Sequence, residues 1–204
     1  MGQSLEQLVQ GYIKFKHRYS RSEVSLMKDL ATKGQKPKVM IIACSDSRVD
    51  PAVLLQCDPG DLFVVRSVSN LVAPYNPNTV DSTAAAMEYA VCYLGVESLV
   101  ILGHSQCGGL QALMEPKSLH QDDYISSWVR HSGLSDVLDS TTNVNDLCHT
   151  ALQRSAEYCL SYPWIKQRVS EGGLTIHRWF LDLASASIST YDQEQQDFVP
   201  LIRS

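Results

Sequence analysis

Val39-Met40-Ile41-Ile42-Ala43-Cys44-Ser45-Asp46-Ser47-Arg48 joins a short apolar run to a cluster of reactive side chains. The run from Val39 to Ala43 is rich in β-favouring residues and too short for a helix, so it reads as a buried parallel strand. Leu62 to Val65 and Leu99 to Leu102 repeat the pattern, each just ahead of a motif. Between those two runs, Ala84, Met87, Val91 and Leu94 mark one face of a crossover helix, and Gly95 supplies its stop. The unit is β-α-β. Such a sheet presents functional groups beyond the carboxyl ends of its strands, where Cys44 and His104 fall.

Working outward, a helix is expected near Asn145 to Leu160, a strand near Leu174 to Asp182, and a short return strand around Ile188 to Tyr191. The expected fold is therefore α/β, a single domain over 1–204. Its central, mostly parallel sheet has about four parallel strands plus a short antiparallel edge strand, with helices on its faces. Leu5, Leu8, Val9, Tyr12 and Ile13 recur at helical spacing. They give residues 1–34 the character of a helical arm that seeks an apolar surface on a partner subunit, leaving 35–204 as the core.

Sixty residues after Cys44, the run His104-Ser105-Gln106-Cys107 adds an imidazole and a second thiol. Two thiolates and one imidazole suit zinc, and three protein ligands leave the fourth tetrahedral position open, as a catalytic site requires. Asp46 and Arg48 follow the first cysteine closely enough to pair beside the metal. Cys57, Cys92, Cys148 and Cys159 lack such neighbours and read as small buried hydrophobes. His17, His120, His131, His149 and His177 read as surface or packing residues. Gly103 to Gly109 lacks the G-x-G-x-x-G order and the P-loop lysine of nucleotide sites.

At 204 residues the chain is long enough to bury a core without disulfides. Six irregularly spaced cysteines, two of them in metal-like positions, point to a reducing compartment, with the cytoplasm as the first expectation. A net charge of −5 without a basic run gives no footprint for nucleic acid. Met1 to Ser20 has no apolar centre of a signal peptide, and no apolar run approaches the roughly 20 residues that span a bilayer.

These residues resemble the signature of the β-class carbonic anhydrases, most densely from Gln35 to Leu113. Pro59 to Arg66 is similar to the family's second strand, Glu88 to Val91 to its following helix, and Gly103 to Gly109 to its second metal loop. The resemblance implies one Zn²⁺ per chain on Cys44, His104 and Cys107, and reversible hydration of CO₂ to bicarbonate and a proton by zinc-bound hydroxide. It casts Asp46 and Arg48 as the catalytic dyad, Arg48 holding Asp46 off the metal. By likeness to the plant-type, open-site subgroup, Gln35 would donate a hydrogen bond to substrate. Phe63, Val68 and Tyr89 would shape its pocket, some of them across a dimer interface, and Gly108 with Gly109 would let a backbone N–H approach. Another subgroup carries Trp three residues before the first cysteine, where this chain has Ile41, so no inhibitory bicarbonate pocket is expected. Ser67 and Ser69 depart from the Asn and the small apolar residue or Gly that the family usually shows in the Arg66 to Asn70 stretch. A homodimer or an assembly of dimers is implied. Two competing readings keep the metal: hydrolysis of carbonyl sulfide or carbon disulfide, and a non-catalytic structural zinc protein.

Overall fold

The computed structural model describes residues 3–21, 25–115, 124–131, 133–134, 138 and 143–202. Helices α1 (Gln3–Ser20) and α2 (Leu26–Lys33) precede a six-stranded sheet. The strands are β1 (Val39–Cys44), β2 (Leu62–Ser67), β3 (Ser98–His104), β4 (Thr175–Asp182), β5 (Ser187–Asp192) and β6 (Asp197–Pro200), in spatial order β2-β1-β3-β4-β5-β6. The first four run parallel, while β5 and β6 return antiparallel. The expected mostly parallel sheet with an antiparallel edge is present, and that edge carries one strand more than the sequence suggested. β6 is short, begins with Asp and ends with Pro, so it lacks the apolar alternation of a strand and forms by pairing with β5.

Both faces of the central strands are covered, which is why their sequences read as unbroken apolar runs. Met40, Ile42, Leu99 and Ile101 join the larger core, while Ile41, Ala43, Val100 and Leu102 join a smaller one on the other face. The larger core is closed by α4 (Ser82–Glu88), α5 (Gly108–Met114), α7 (Val144–Cys159) and α8 (Pro163–Ser170), with α6 (Tyr124–His131) beside α5. A single turn, α3 (Pro51–Leu54), follows β1, with the Asp50 side chain capping the N–H groups of Ala52 and Val53. The crossover helix starts as α4 and loosens into a π-helical turn over Tyr89–Leu94. Gly95, at φ 67°, ends it in the left-handed conformation that the sequence expectation placed there.

Strand order reverses at β1. β2 lies on one side and β3 on the other, so the loops after β1 and β3 diverge and leave a crevice at their carboxyl ends.

Candidate metal centre

Cys44 ends β1, His104 ends β3, and Cys107 is the residue before α5. The parallel register sets Ala43 beside Leu102, so the two strand ends deliver thiol and imidazole to one point. The Cys44 and Cys107 sulfurs are 3.9 Å apart. Ligand atoms of all three residues lie within 4.8 Å of one another, and all three side chains are buried. His104 Nδ1 is 2.9 Å from the Ser105 carbonyl, which fixes the ring and directs Nε2 inward. That Nε2 is buried without a hydrogen-bond partner. A buried nitrogen with no partner, facing two sulfurs, is a costly arrangement in an apolar interior and a natural one for a metal ligand.

The thiol pair is electrostatically uneven. Cys107 is pushed down to about 4, chiefly by the hydrogen bond from Cys44, with His104, Ser69 and the Leu110 N–H also favouring its thiolate. Cys44 is pushed up by the same hydrogen bond and by burial. One negative charge is welcome there and a second is resisted, so a cation is what completes the set. The residues fit zinc.

Asp46 lies beside this cluster. Its Oδ1 accepts from the Arg48 backbone N–H and Nε, each at 2.9 Å, and its Oδ2 accepts from Arg48 Nη2 at 2.7 Å. This fork holds the carboxyl well below the usual carboxylate range. Asp46 Oδ2 is 3.9 Å from His104 Nε2, near enough to reach a group on the metal. Arg48 Nη2 is also 3.3 Å from the Gln106 carbonyl, tying the two motif loops together.

Several supporting residues were not picked out as site residues from the sequence. Arg66 donates to the carbonyls of Cys44 (3.1 Å) and Asp46 (2.6 Å), clamping the loop between them. Ser69, fully buried, is 3.5 Å from Cys107 Sγ through its hydroxyl and has a positive φ of 62°. Cys148, read as packing, donates its thiol to the His104 carbonyl at 3.2 Å, and burial pushes it up to about 12. Asn145 accepts from the Gln106 N–H at 3.1 Å. The departure at Ser69 was the one visible signal. A Cβ at Gly109 would meet Ser69 Oγ at 2.3 Å and Val68 Cγ1 at 2.8 Å, so glycine is needed there for close packing.

The five substrate-binding candidates separate into two groups. Val68, just after β2, and Gly108, at the start of α5, flank the metal donors. Gln35, Phe63 and Tyr89 do not. Lys38 lies beside the start of β3 through its carbonyl, and Cys44 is about 20 Å further along the strand, too far for Gln35 to reach from three residues upstream. Phe63 pairs with Met40, also near the amino end, and its ring is 5.9 Å from Tyr89. Gln35 and Tyr89 are exposed. Among the described residues no other histidine joins the donor cluster, and His120 lies outside them.

The carbonic anhydrase family model matches residues 39–188. This chain belongs to the β-class carbonic anhydrases. It is 33% identical over 204 residues to a carbonic anhydrase of Synechocystis sp., covering 96% of this chain and 74% of the relative. To one of Pseudomonas aeruginosa it is 31% identical, covering 97% and 92%. Among solved structures, the β-carbonic anhydrase CcaA superposes with a TM-score of 0.85 at 30% identity, over 97% of this chain and 99% of that one. A structure reported among two tetrameric β-carbonic anhydrases of Sordaria macrospora gives 0.73 at 28% identity, over 92% and 94%.

Proposed function

We propose that this β-class carbonic anhydrase hydrates CO₂ reversibly to bicarbonate and a proton at one zinc ion held by Cys44, His104 and Cys107. The observation that carries the reading is the buried Cys-His-Cys cluster with the Asp46–Arg48 fork beside it. Zinc bound there would supply a Lewis acid that lowers the pKa of a bound water and so makes it a nucleophile.

The chain's own residues do the rest. Asp46, kept ionised by Arg48, accepts a hydrogen bond from the nucleophile and fixes the direction of its lone pair. Arg48 keeps that carboxylate from becoming a ligand, the open-site arrangement. Val68 walls the approach, and the Gly108 N–H offers a donor to a developing oxyanion with no side chain to block it. Gln35, Phe63 and Tyr89 serve the site of a neighbouring subunit, since within one chain they lie at the far end of the sheet. The exposed apolar residues of α1, among them Leu5, Leu8, Tyr12 and Ile13, support a homodimer or an assembly of dimers. All six cysteines are free, which supports a reducing compartment such as the cytoplasm. Among the described residues no helix is long and apolar enough to cross a membrane.

Stopped-flow CO₂ hydration on zinc-loaded protein tests the proposal. Turnover well above the buffer rate at alkaline pH is expected, and none would leave the cluster structural. Sulfide release from carbonyl sulfide or carbon disulfide on the same preparation measures the alternative electrophiles.

A further inference from the structure

A polar cavity lies between α7 and the β4-β5-β6 edge, apart from the metal donors. It has a volume of about 310 Å³ and is lined by His149, Thr150, Gln153, Arg178, Tyr191 and residues 196–198. Its chemistry centres on Arg178, which is only 6% exposed and yet has no carboxylate within salt-bridge distance among the described residues. The guanidinium lies over the Tyr191 ring, its cross-strand neighbour, at 3.8 Å, and Nη1 donates to Gln153 Oε1. Its other N–H groups have no protein acceptor among the described residues.

A buried guanidinium whose direct contacts are a neutral amide and a ring face, with Glu157 acting only from beyond contact distance, is under-compensated, since burying charge is costly unless an opposite charge is brought to it. Among the described residues no acid reaches it directly. Glu157 accepts from Gln153 Nε2 at 2.8 Å and lies 4.0 Å from Arg154, and Asp197 accepts from the Phe198 N–H at 2.7 Å. His149 is held between Phe180 and Phe198, and its Nε2 is buried without a partner.

From this cavity and its buried cation we infer a binding site for a small oxyanion, a carboxylate or phosphate group, on Arg178, with His149 and Thr150 in the cavity wall. Guanidinium N–H groups match such oxygens in spacing and charge. At ~30 Å³ per water the cavity has room for on the order of ten waters, so an anion several atoms larger than bicarbonate fits. Asp197 at the rim sets a limit, favouring one compact anionic group over a polyanion.

The test is calorimetric titration and thermal unfolding of the zinc-loaded full chain with sodium acetate and with inorganic phosphate, at constant ionic strength. Wild type, Arg178→Gln and Gln153→Glu are compared so that any anion binding at the metal cancels. Saturable binding of either anion is expected, with affinity falling about 10- to 100-fold in Arg178→Gln as a charge-assisted contact is lost. Acetate alone or phosphate alone assigns the group. Gln153→Glu puts a carboxylate of the chain itself on the guanidinium, so it should raise the Tm of ligand-free protein and abolish the anion response. It carries the test even where Arg178→Gln fails to fold. No saturable binding in wild type, or equal binding in all three proteins, overturns the inference and leaves Arg178 as the packing partner of Tyr191.

Discussion

The two ends of the sheet are built on opposite terms. At the carboxyl end, Cys44, His104 and Cys107 are buried, Arg66 and Ser69 hydrogen-bond to Cys44 and Cys107 within the same chain, and Asp46 stands 3.9 Å from His104 Nε2. At the amino end, Gln35 and Tyr89 are exposed, and Tyr89 stacks on Tyr93, itself 74% exposed, at 5.6 Å. The first end is complete in one chain, and the second is a surface with chemistry on it. Metal binding and substrate handling should therefore separate cleanly under mutation.

Cys107→Ser strikes the complete end hardest. A serine hydroxyl is a far poorer zinc ligand than a thiolate, so most of the metal and nearly all activity should go, read by elemental analysis of purified protein. Full zinc content in that variant would break the comparison at its strongest point. Arg48→Ala comes next, with activity down roughly 100-fold while zinc stays near one per chain. Asp46, freed from its fork, then competes for the open position. Part of the loss should be recovered as pH rises and hydroxide displaces the carboxylate, so the rate-pH profile is the decisive measurement.

Gln35→Ala probes the other end. Zinc content should be unchanged and kcat/KM should fall by about 10-fold, the scale of one hydrogen bond to a reacting group. Unaltered kinetics would return Gln35 to an ordinary solvated loop. The smallest effect belongs to Ser69→Ala, which removes the hydroxyl against Cys107 Sγ. Zinc affinity, measured by chelator competition, should weaken only about 10-fold, the low end of the cost of losing an outer hydrogen bond.

The sequence carried the donors and the central strands because their signals are local. A doubly buried parallel strand must be apolar throughout, and His-x-x-Cys after such a strand has few other readings. What it did not carry depends on contacts distant in sequence. Nothing in Ser69 announces a left-handed residue, since glycine or asparagine is the usual occupant of that conformation, and its φ of 62° is held by burial against Cys107 and Gly109. The loosened turn at Tyr89–Leu94 keeps the apolar spacing of an α-helix and so hid within one. β6 exists only because β5 offers it an edge. Counting residues from Gln35 to Cys44 was enough to show that the two could not meet in one chain, provided the strand between them was taken as extended.

That separation has a genetic reading. Under the proposed sharing of sites between subunits, a Cys107→Ser chain keeps a sound Gln35 and a Gln35→Ala chain keeps a sound metal centre. Co-expressed, the two should pair so that the Gln35→Ala chain's zinc meets the other chain's glutamine. Each such mixed dimer regains one full site, and this trans-complementation should make the mixture faster than the mean of its two impaired parents.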